Sequence, residues 1–114
     1  MEKRNRLAVL WTSPDREVAL KMVFMYTLNS KLNGWWDDVC LIIWGPSAKL
    51  LAEDTELQRY TQKMLQHQVE VVACKACSDA YGVSEQLAAL GAEVKYMGLP
   101  LSQMLQSGWT QLTI

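Results

Sequence analysis

Two cysteines, Cys74 and Cys77, stand three residues apart directly after a short β-branched run of the sequence. A C-x-x-C pair is typical of zinc sites, of redox dithiols and of reactive single thiols. Cysteines also commonly do no more than pack, because free cysteine is among the most buried residue types. The third cysteine, Cys40, lies inside the apolar run DVCLIIW, and packing is its expected role.

A metal at this pair would need ligands that the sequence hardly offers. Structural zinc takes four ligands, usually from a second C-x-x-C or a histidine pair. The remaining candidates are Cys40 and a single histidine, His67, so no metal site is expected. A thioredoxin-like dithiol normally follows an early strand and faces a cis-proline. This pair comes late in the chain, with no proline evidently placed for that role, and a dithiol redox protein stays open as a third alternative.

Strand-like and helix-like segments alternate along the chain, and the first strands are apolar throughout. Such strands belong to parallel sheets that helices cover. The sequence predicts a single-domain, three-layer α/β fold, a flavodoxin-like five-stranded mostly parallel sheet with helices on both faces. The predicted strands are 6–11, 38–44, 69–73, 93–97 and 109–114. The predicted helices follow Ser13-Pro14 and cover 48–66 (broken near Asp54-Thr55), 77–90 (interrupted at 82–84) and 99–106.

The strand order decides where a site would lie, because ligands bind at the carboxyl ends of the strands, at the topological switch point. With the order 2-1-3-4-5, the switch brings the loop of Cys74 and Cys77 beside the end of the first strand. Both thiols would then lie near a helix N-terminus, whose partial positive charge favours thiolate. An anion pocket is expected around them from Thr12, Ser13, Gly45, Ser47 and Lys75.

Each pocket residue also has a simpler role open to it. Ser13 is well placed as a plain helix cap, which we favour over a binding role. Gly45 and Ser47 suit an ordinary turn between a strand and a helix. Lys75 either depresses a thiol pKa or is merely solvated.

Composition and charge narrow the classes of protein further. The net charge is −1 and lysine and arginine do not cluster, so the sequence does not predict a basic surface that would bind nucleic acid. No apolar run approaches the roughly 20 residues that cross a bilayer. The charged start precedes an apolar stretch too short for a signal peptide. We therefore expect a cytoplasmic protein with reduced thiols, and the odd number of cysteines agrees with this.

Trp35 and Trp36 lie in an otherwise polar stretch. On a monomer they would expose an apolar patch of the kind that marks interfaces. This pattern favours a homo-oligomer, although folding of the stretch onto its own core is equally open.

Three segments resemble blocks of the DsrE/DsrF-like family, which includes the TusD-type sulfur-relay subunits. They are VVACKACSDAYGV around the cysteine pair, IIWGPSAKLLAED after the second strand and GAEVKYMGLPLSQML near the end. The first has Gly82 and Val83 eight and nine positions after Cys74. The resemblance covers essentially the whole chain and implies one DsrE-like domain over 1–114.

The resemblance implies a small cytoplasmic protein that assembles into trimers or hexamers and uses no cofactor or metal. In the characterised branch, a cysteine matching Cys74 carries sulfur as a persulfide between donor and acceptor proteins. Those subunits typically rely on one cysteine in this loop, whereas this chain adds Cys77.

Our hypothesis is a sulfur-relay protein with Cys74 as the persulfide carrier and Cys77 as an auxiliary thiol. The added Cys77 would resolve a persulfide by forming a disulfide, or be the carrier itself. The main alternative is a non-catalytic oligomeric binding or assembly module on the same fold, with inert, packed cysteines.

Overall fold

A computed structural model describes residues 4–114 of the chain. Residues 1–3, which belong to the charged start and to the expected domain 1–114, lie outside the described part. Five strands form one sheet: β1 Arg6–Trp11, β2 Asp38–Ile43, β3 Glu70–Cys74, β4 Glu93–Lys95 and β5 Thr110–Thr113. The helices are α1 Arg16–Val18, which continues through a π-helical stretch Ala19–Phe24 into α2 Met25–Leu32, then α3 Pro46–Glu53, α4 Thr55–Gln66, α5 Lys75–Tyr81, α6 Ser84–Leu90 and α7 Gly98–Gln106.

The sheet is parallel throughout and has the order β4-β3-β2-β1-β5. This confirms the predicted flavodoxin-like α/β class, but the order 2-1-3-4-5 is wrong. The first four strands are laid down side by side in one direction. Only the last crossover reverses, carrying the chain from β4 across to β5 beside β1.

The two faces of the sheet are covered unequally. Successive side chains of a strand point to opposite faces, so Leu7, Val9 and Trp11 enter one cluster and Ala8 enters another. The larger cluster packs against the helices between β1 and β4, because three right-handed crossovers in one direction place them on the same face. The smaller cluster is covered by α7, which has no buried residue of its own.

Helix starts follow local capping chemistry and correct one expectation. Asp15, not Ser13, caps the first helix, accepting from the backbone N–H groups of Glu17 and Val18 at 2.8 and 3.2 Å. The Ser13 hydroxyl instead accepts from the Asp15 N–H at 3.1 Å. The break near Asp54-Thr55 is confirmed, with Asp54 as the cap of α4.

The tryptophans separate into buried and exposed positions. Trp11 is fully buried and meets Phe24 edge-to-face, with ring centroids 5.0 Å apart. Trp36 packs against the larger cluster and donates from Nε1 to the Tyr26 hydroxyl at 3.2 Å. Trp35 is 57% exposed. Trp36 thus folds onto the core, and Trp35 faces outward.

Among residues 4–114, no helix has both the length and the apolar character needed to cross a membrane.

Candidate functional site

The observed strand order moves the topological switch to the carboxyl ends of β3 and β4. The chain leaves β3 toward the larger cluster, where Leu87 of α6 packs. It leaves β4 toward the opposite face, where Leu101 and Met104 of α7 pack. Adjacent strands whose connections leave to opposite faces open a crevice between them. The loop of the cysteine pair therefore still lies at the switch, which falls between β3 and β4 rather than between β1 and β3.

Cys74 is the last residue of β3 and the N-cap of α5. Strand alternation turns its side chain toward the smaller cluster, among Ile42, Val72 and Met97. It is 5% exposed, so its sulfur is covered rather than open to solvent. A carrier thiol that takes sulfur directly from a donor would need a more open position than this one.

Cys77 lies in the first turn of α5 and is the more exposed of the two thiols. Its side chain packs against the cluster that contains Cys74, and the Cys74 thiol and the Gly45 backbone both act on its pKa. Burial raises the pKa of Cys77, the Cys74 thiol raises it further, and the Gly45 N–H acts in the opposite direction. The net rise differs from the thiolate-favouring environment expected from the sequence.

Gly45 reaches this thiol because of an unusual backbone conformation. With φ 72° and ψ −139°, it lies near a region that is essentially confined to glycine. The conformation turns the chain from β2 into α3 and brings the peptide beside Cys77. A Cβ built on Gly45 would meet nothing within 4 Å, so the conformation, not crowding, is what calls for glycine here.

Lys75 pairs with an acidic side chain of its own helix. Its Nζ lies 2.7 Å from Asp79 Oδ2 and 5.5 Å from the centre of the Tyr96 ring. The pKa of Lys75 is raised, first by the hydrogen bond to Asp79. Tyr96, which follows β4 and is 66% exposed, therefore lies beside the start of α5. Sequence reasoning missed it, because the predicted switch lay between the first and third strands.

A hydrogen-bonded chain fixes α5 against α6. Ser84 donates to Asp79 at 2.5 Å, and the Ser84 and Ser78 hydroxyls lie 2.7 Å apart. Ser78 is buried. The start of α5, which carries Cys77, is thus held by neighbouring elements.

The other predicted pocket residues make local contacts elsewhere. Thr12 donates from its backbone N and Oγ1 to the Ile114 carbonyl, at 2.7 and 3.1 Å. The buried Ser47 hydroxyl donates to the Trp11 carbonyl at 2.6 Å. Thr12 and Ser13 follow β1, two strand positions from β3, which is roughly 10 Å. The structure therefore brings Cys74, Cys77 and Gly45 together and leaves Thr12, Ser13 and Ser47 in structural contacts.

A separate cavity of about 410 Å³ lies between α7 and the starts of β3 and β4. Its lining includes Cys40, Glu70 and Glu93 but neither Cys74 nor Cys77. Burial raises the pKa of Cys40 to about 12, so this thiol stays protonated at neutral pH. Within residues 4–114, no group of three or more metal-binding side chains comes together.

Comparison with known proteins places this geometry among solved structures. The chain is 40% identical to a conserved protein of unknown function, BT1422, from Bacteroides thetaiotaomicron, with a TM-score of 0.93 over 96% of this chain and 95% of that one. The ychN protein from E. coli is 18% identical, with a TM-score of 0.75 over 98% and 100%. MTH1491, a protein of unknown function from Methanobacterium thermoautotrophicum, is also 18% identical, with a TM-score of 0.73 over 96% and 100%. At 18% identity these two likenesses support the fold alone.

No curated protein matches the chain. The sequence model of the DsrE/DsrF-like family, however, matches residues 6–114. This match spans every strand of the sheet and the loop that carries the cysteine pair. The chain belongs to the DsrE/DsrF-like family.

Proposed function

We propose that this protein is a sulfur carrier that takes up sulfane sulfur as a persulfide on the Cys74–Cys77 pair, with Cys77 as the acceptor thiol. The observation that carries the proposal is that two free thiols lie together at the topological switch point of the sheet. Cys74 is buried and Cys77 is partly exposed. A thiol can attack a donor only where the donor can reach it. Membership in a family with a sulfur-relay branch supports the same chemistry.

Uptake is a thiol–persulfide exchange. Cys77 loses its proton to solvent, and its sulfur attacks the outer sulfur of a donor persulfide. The donor's S–S bond breaks, the donor leaves as a thiolate, and Cys77 holds the new persulfide. The Gly45 backbone lowers the pKa of Cys77 and so supports the anionic form of its sulfur. Because the pKa of Cys77 is raised, uptake should accelerate as the pH rises above neutral.

The roles of the two cysteines differ from our sequence hypothesis, which made Cys74 the carrier. Cys74 is 5% exposed and surrounded by apolar side chains, so a donor protein has no direct approach to its sulfur. Cys77 lies outside it and within hydrogen-bonding reach. Sulfur then reaches Cys74 only by way of Cys77. Both thiols must be reduced for uptake, and we place the protein in the cytoplasm for that reason.

Persulfide trapping tests the assignment. The protein is treated with a cysteine desulfurase and cysteine, or with polysulfide, then alkylated and mapped by mass spectrometry. We expect one added sulfur on Cys77 in Cys74→Ala and none at the pair in Cys77→Ala. Cys40→Ala is the matched control and should load like wild type, since Cys40 lines a different cavity. A folded Cys77→Ala protein that loads as fast as wild type would overturn the acceptor role.

A second candidate, an assembly module without sulfur chemistry, is favoured by the thinly covered face of the sheet. Around α7, Tyr96, Leu99 and Leu105 are 66%, 69% and 46% exposed. An apolar surface of this kind suits contact with further copies of the chain. Such an assembly is compatible with either function. If the protein forms an oligomer but takes up no sulfur from any donor, the assembly module is the function that remains.

A further inference from the structure

We propose that the protein also releases its sulfur as hydrosulfide, by closing a disulfide between Cys74 and Cys77. This step rests on the proposed uptake at Cys77 and adds a second activity, a persulfide-reducing one, to the carrier. The observations that carry it are the positions of the two thiols on α5, their unequal exposure and the separation of the third cysteine from both.

The positions of the two cysteines suit a disulfide. Cys74 is the cap of α5 and Cys77 lies one turn along it. Residues three apart on a helix have Cβ atoms about 5–6 Å apart, slightly beyond the 3.5–4.5 Å that a disulfide spans. A small adjustment of the first turn closes that gap. The thiols already lie within hydrogen-bonding reach of each other and pack in the same cluster.

Cys40 does not compete for either thiol. It faces the same side of the sheet, but it is paired with Glu70, four residues before Cys74 on β3. At about 3.3 Å per residue, that separation along the strand is roughly 13 Å, which is too far for a disulfide. Within the chain, Cys74 therefore has one disulfide partner, Cys77.

The unequal exposure sets the direction of the reaction. A persulfide on Cys77 has its inner sulfur above the buried Cys74 thiol, and its outer sulfur is free to extend toward solvent. The Cys74 thiol attacks the inner sulfur and gives its proton to the anionic outer sulfur, the persulfide S–S bond breaks, and the outer sulfur leaves as hydrosulfide. The new bond is the Cys74–Cys77 disulfide. The sulfane sulfur is reduced by two electrons, and the two cysteines are oxidised by two.

The Cys74–Cys77 disulfide must be reduced before the protein can take up sulfur again. A dithiol reductant of the thioredoxin class supplies the two electrons and restores both thiols. Transfer of the persulfide to an acceptor protein competes with this internal attack. The balance between the two outcomes is set by how quickly Cys74 reaches the Cys77 persulfide.

A single-turnover experiment under anaerobic conditions tests the inference. Wild type, Cys74→Ala, Cys74→Ser and Cys40→Ala are loaded with glutathione persulfide and desalted at once. Hydrosulfide and intact mass are then followed over time. Circular dichroism establishes that each variant is folded. Protein without donor is the control for adventitious oxidation and should keep its reduced mass.

We expect wild type and Cys40→Ala to release one equivalent of hydrosulfide per loaded chain and to end two hydrogens below the reduced mass. Cys74→Ala and Cys74→Ser should keep the added sulfur and release almost none. If wild type holds its persulfide as long as the Cys74 variants do, the release step is wrong and the carrier proposal stands. If no variant, including those at Cys74, gains sulfur or forms a disulfide, the carrier proposal itself fails.

Discussion

The pKa of the Cys77 thiol depends on three features of its surroundings, which act in different directions. Burial and the neighbouring Cys74 thiol both raise the pKa, while the Gly45 N–H lowers it. Only the thiolate is nucleophilic, so each of these groups changes how fast Cys77 reacts at neutral pH. Two of the three can be altered by single substitutions.

Replacing Cys74 by alanine should make Cys77 more reactive at neutral pH. The change removes the neighbouring thiol, which favours the protonated form of Cys77, so the pKa of Cys77 falls and its thiolate fraction rises. The measurement is the rate of iodoacetamide labelling of Cys77 against pH, with sites resolved by mass spectrometry. Labelling in Cys40→Ala should match wild type. A Cys77 rate that drops in folded Cys74→Ala would contradict the assigned contact.

Replacing Gly45 by alanine should have the opposite effect on Cys77. An alanine at φ 72° and ψ −139° costs on the order of 1–3 kcal/mol in backbone strain. Relief of that strain moves the peptide N–H away, so the pKa of Cys77 rises and its labelling slows. Urea denaturation and the labelling rate report the two effects separately.

Gly98→Ala is the matched control for Gly45→Ala. A Cβ on Gly98 also meets nothing within 4 Å, but Gly98 starts α7 without a positive φ. The change should be neutral or stabilising by up to about 1 kcal/mol. Equal losses of stability at Gly45 and Gly98 would argue against a conformational role for Gly45.

At the scale of elements, Asp54 joins the first helix to α4. Its carboxylate accepts from the Leu57 N–H at 3.0 Å as the cap of α4, and it lies 2.6 Å from Arg16 Nε. The Leu57 hydrogen bond and, less strongly, the Arg16 contacts lower the pKa of Asp54. A carboxyl whose folded pKa is lowered stabilises the fold above its unfolded pKa. That contribution is lost as the pH falls through the folded pKa.

Asp54→Ala should therefore cost about 1–2 kcal/mol of unfolding free energy at pH 7. At a pH well below the ordinary carboxyl pKa of 3.8, wild-type Asp54 is itself protonated, and the difference between the two proteins should shrink. Urea denaturation at both pH values gives the comparison. Glu53→Ala, an exposed neighbour, should change stability by no more than about 0.5 kcal/mol at either pH. A difference that grows in acid would contradict the linkage.

Element identity was largely predictable because β1, β2 and β3 contain short apolar runs and because local signals mark several helix ends. The breaks near Asp54 and at Gly82 are examples, since an acidic cap and a left-handed glycine are visible in the sequence. Strand order was not predictable in this way. Runs that are apolar on both faces pack equally well beside any neighbour, so their pattern does not choose a partner.

The candidate site was predictable to the same extent as its elements. Cys74, Cys77 and Gly45 follow adjacent parallel strands, and the ends of such strands meet at one edge of the sheet. The burial of Cys74 was not predictable, because it depends on the face to which its register turns the side chain. Tyr96 was missed because the predicted order put the switch between the first and third strands, whereas the observed order puts it at the ends of β3 and β4.

On the scale of the whole molecule, we expect the exposed apolar surface around α7 to hold copies of the chain together. We expect wild type to elute larger than a monomer in gel filtration with light scattering. Leu99→Glu places a charge on a residue that is 69% exposed, and burying that charge in an interface is unfavourable. The variant should shift toward monomer while its circular dichroism stays unchanged.

Met25→Glu is the matched control for Leu99→Glu. Met25 is 45% exposed, but it lies on α2, beside Tyr26 and Trp35, on the other side of the sheet. Its mass in solution should follow that of wild type. A wild-type protein that is monomeric at micromolar concentration removes the interface. A shift caused by Met25→Glu alone would place the contact on the helical side instead.

The pairing of β1 with β5 has a consequence for the order in which the protein is built. β1 leaves the ribosome before the other four strands of the sheet, yet one of its edges is covered only by residues 110–113. Until that last strand arrives, the backbone of Leu7, Val9 and their neighbours offers unsatisfied donors and acceptors to any passing strand. A chain that lacks residues 110–114 should therefore aggregate during expression, even though its cysteines and all the buried residues of its larger cluster are present.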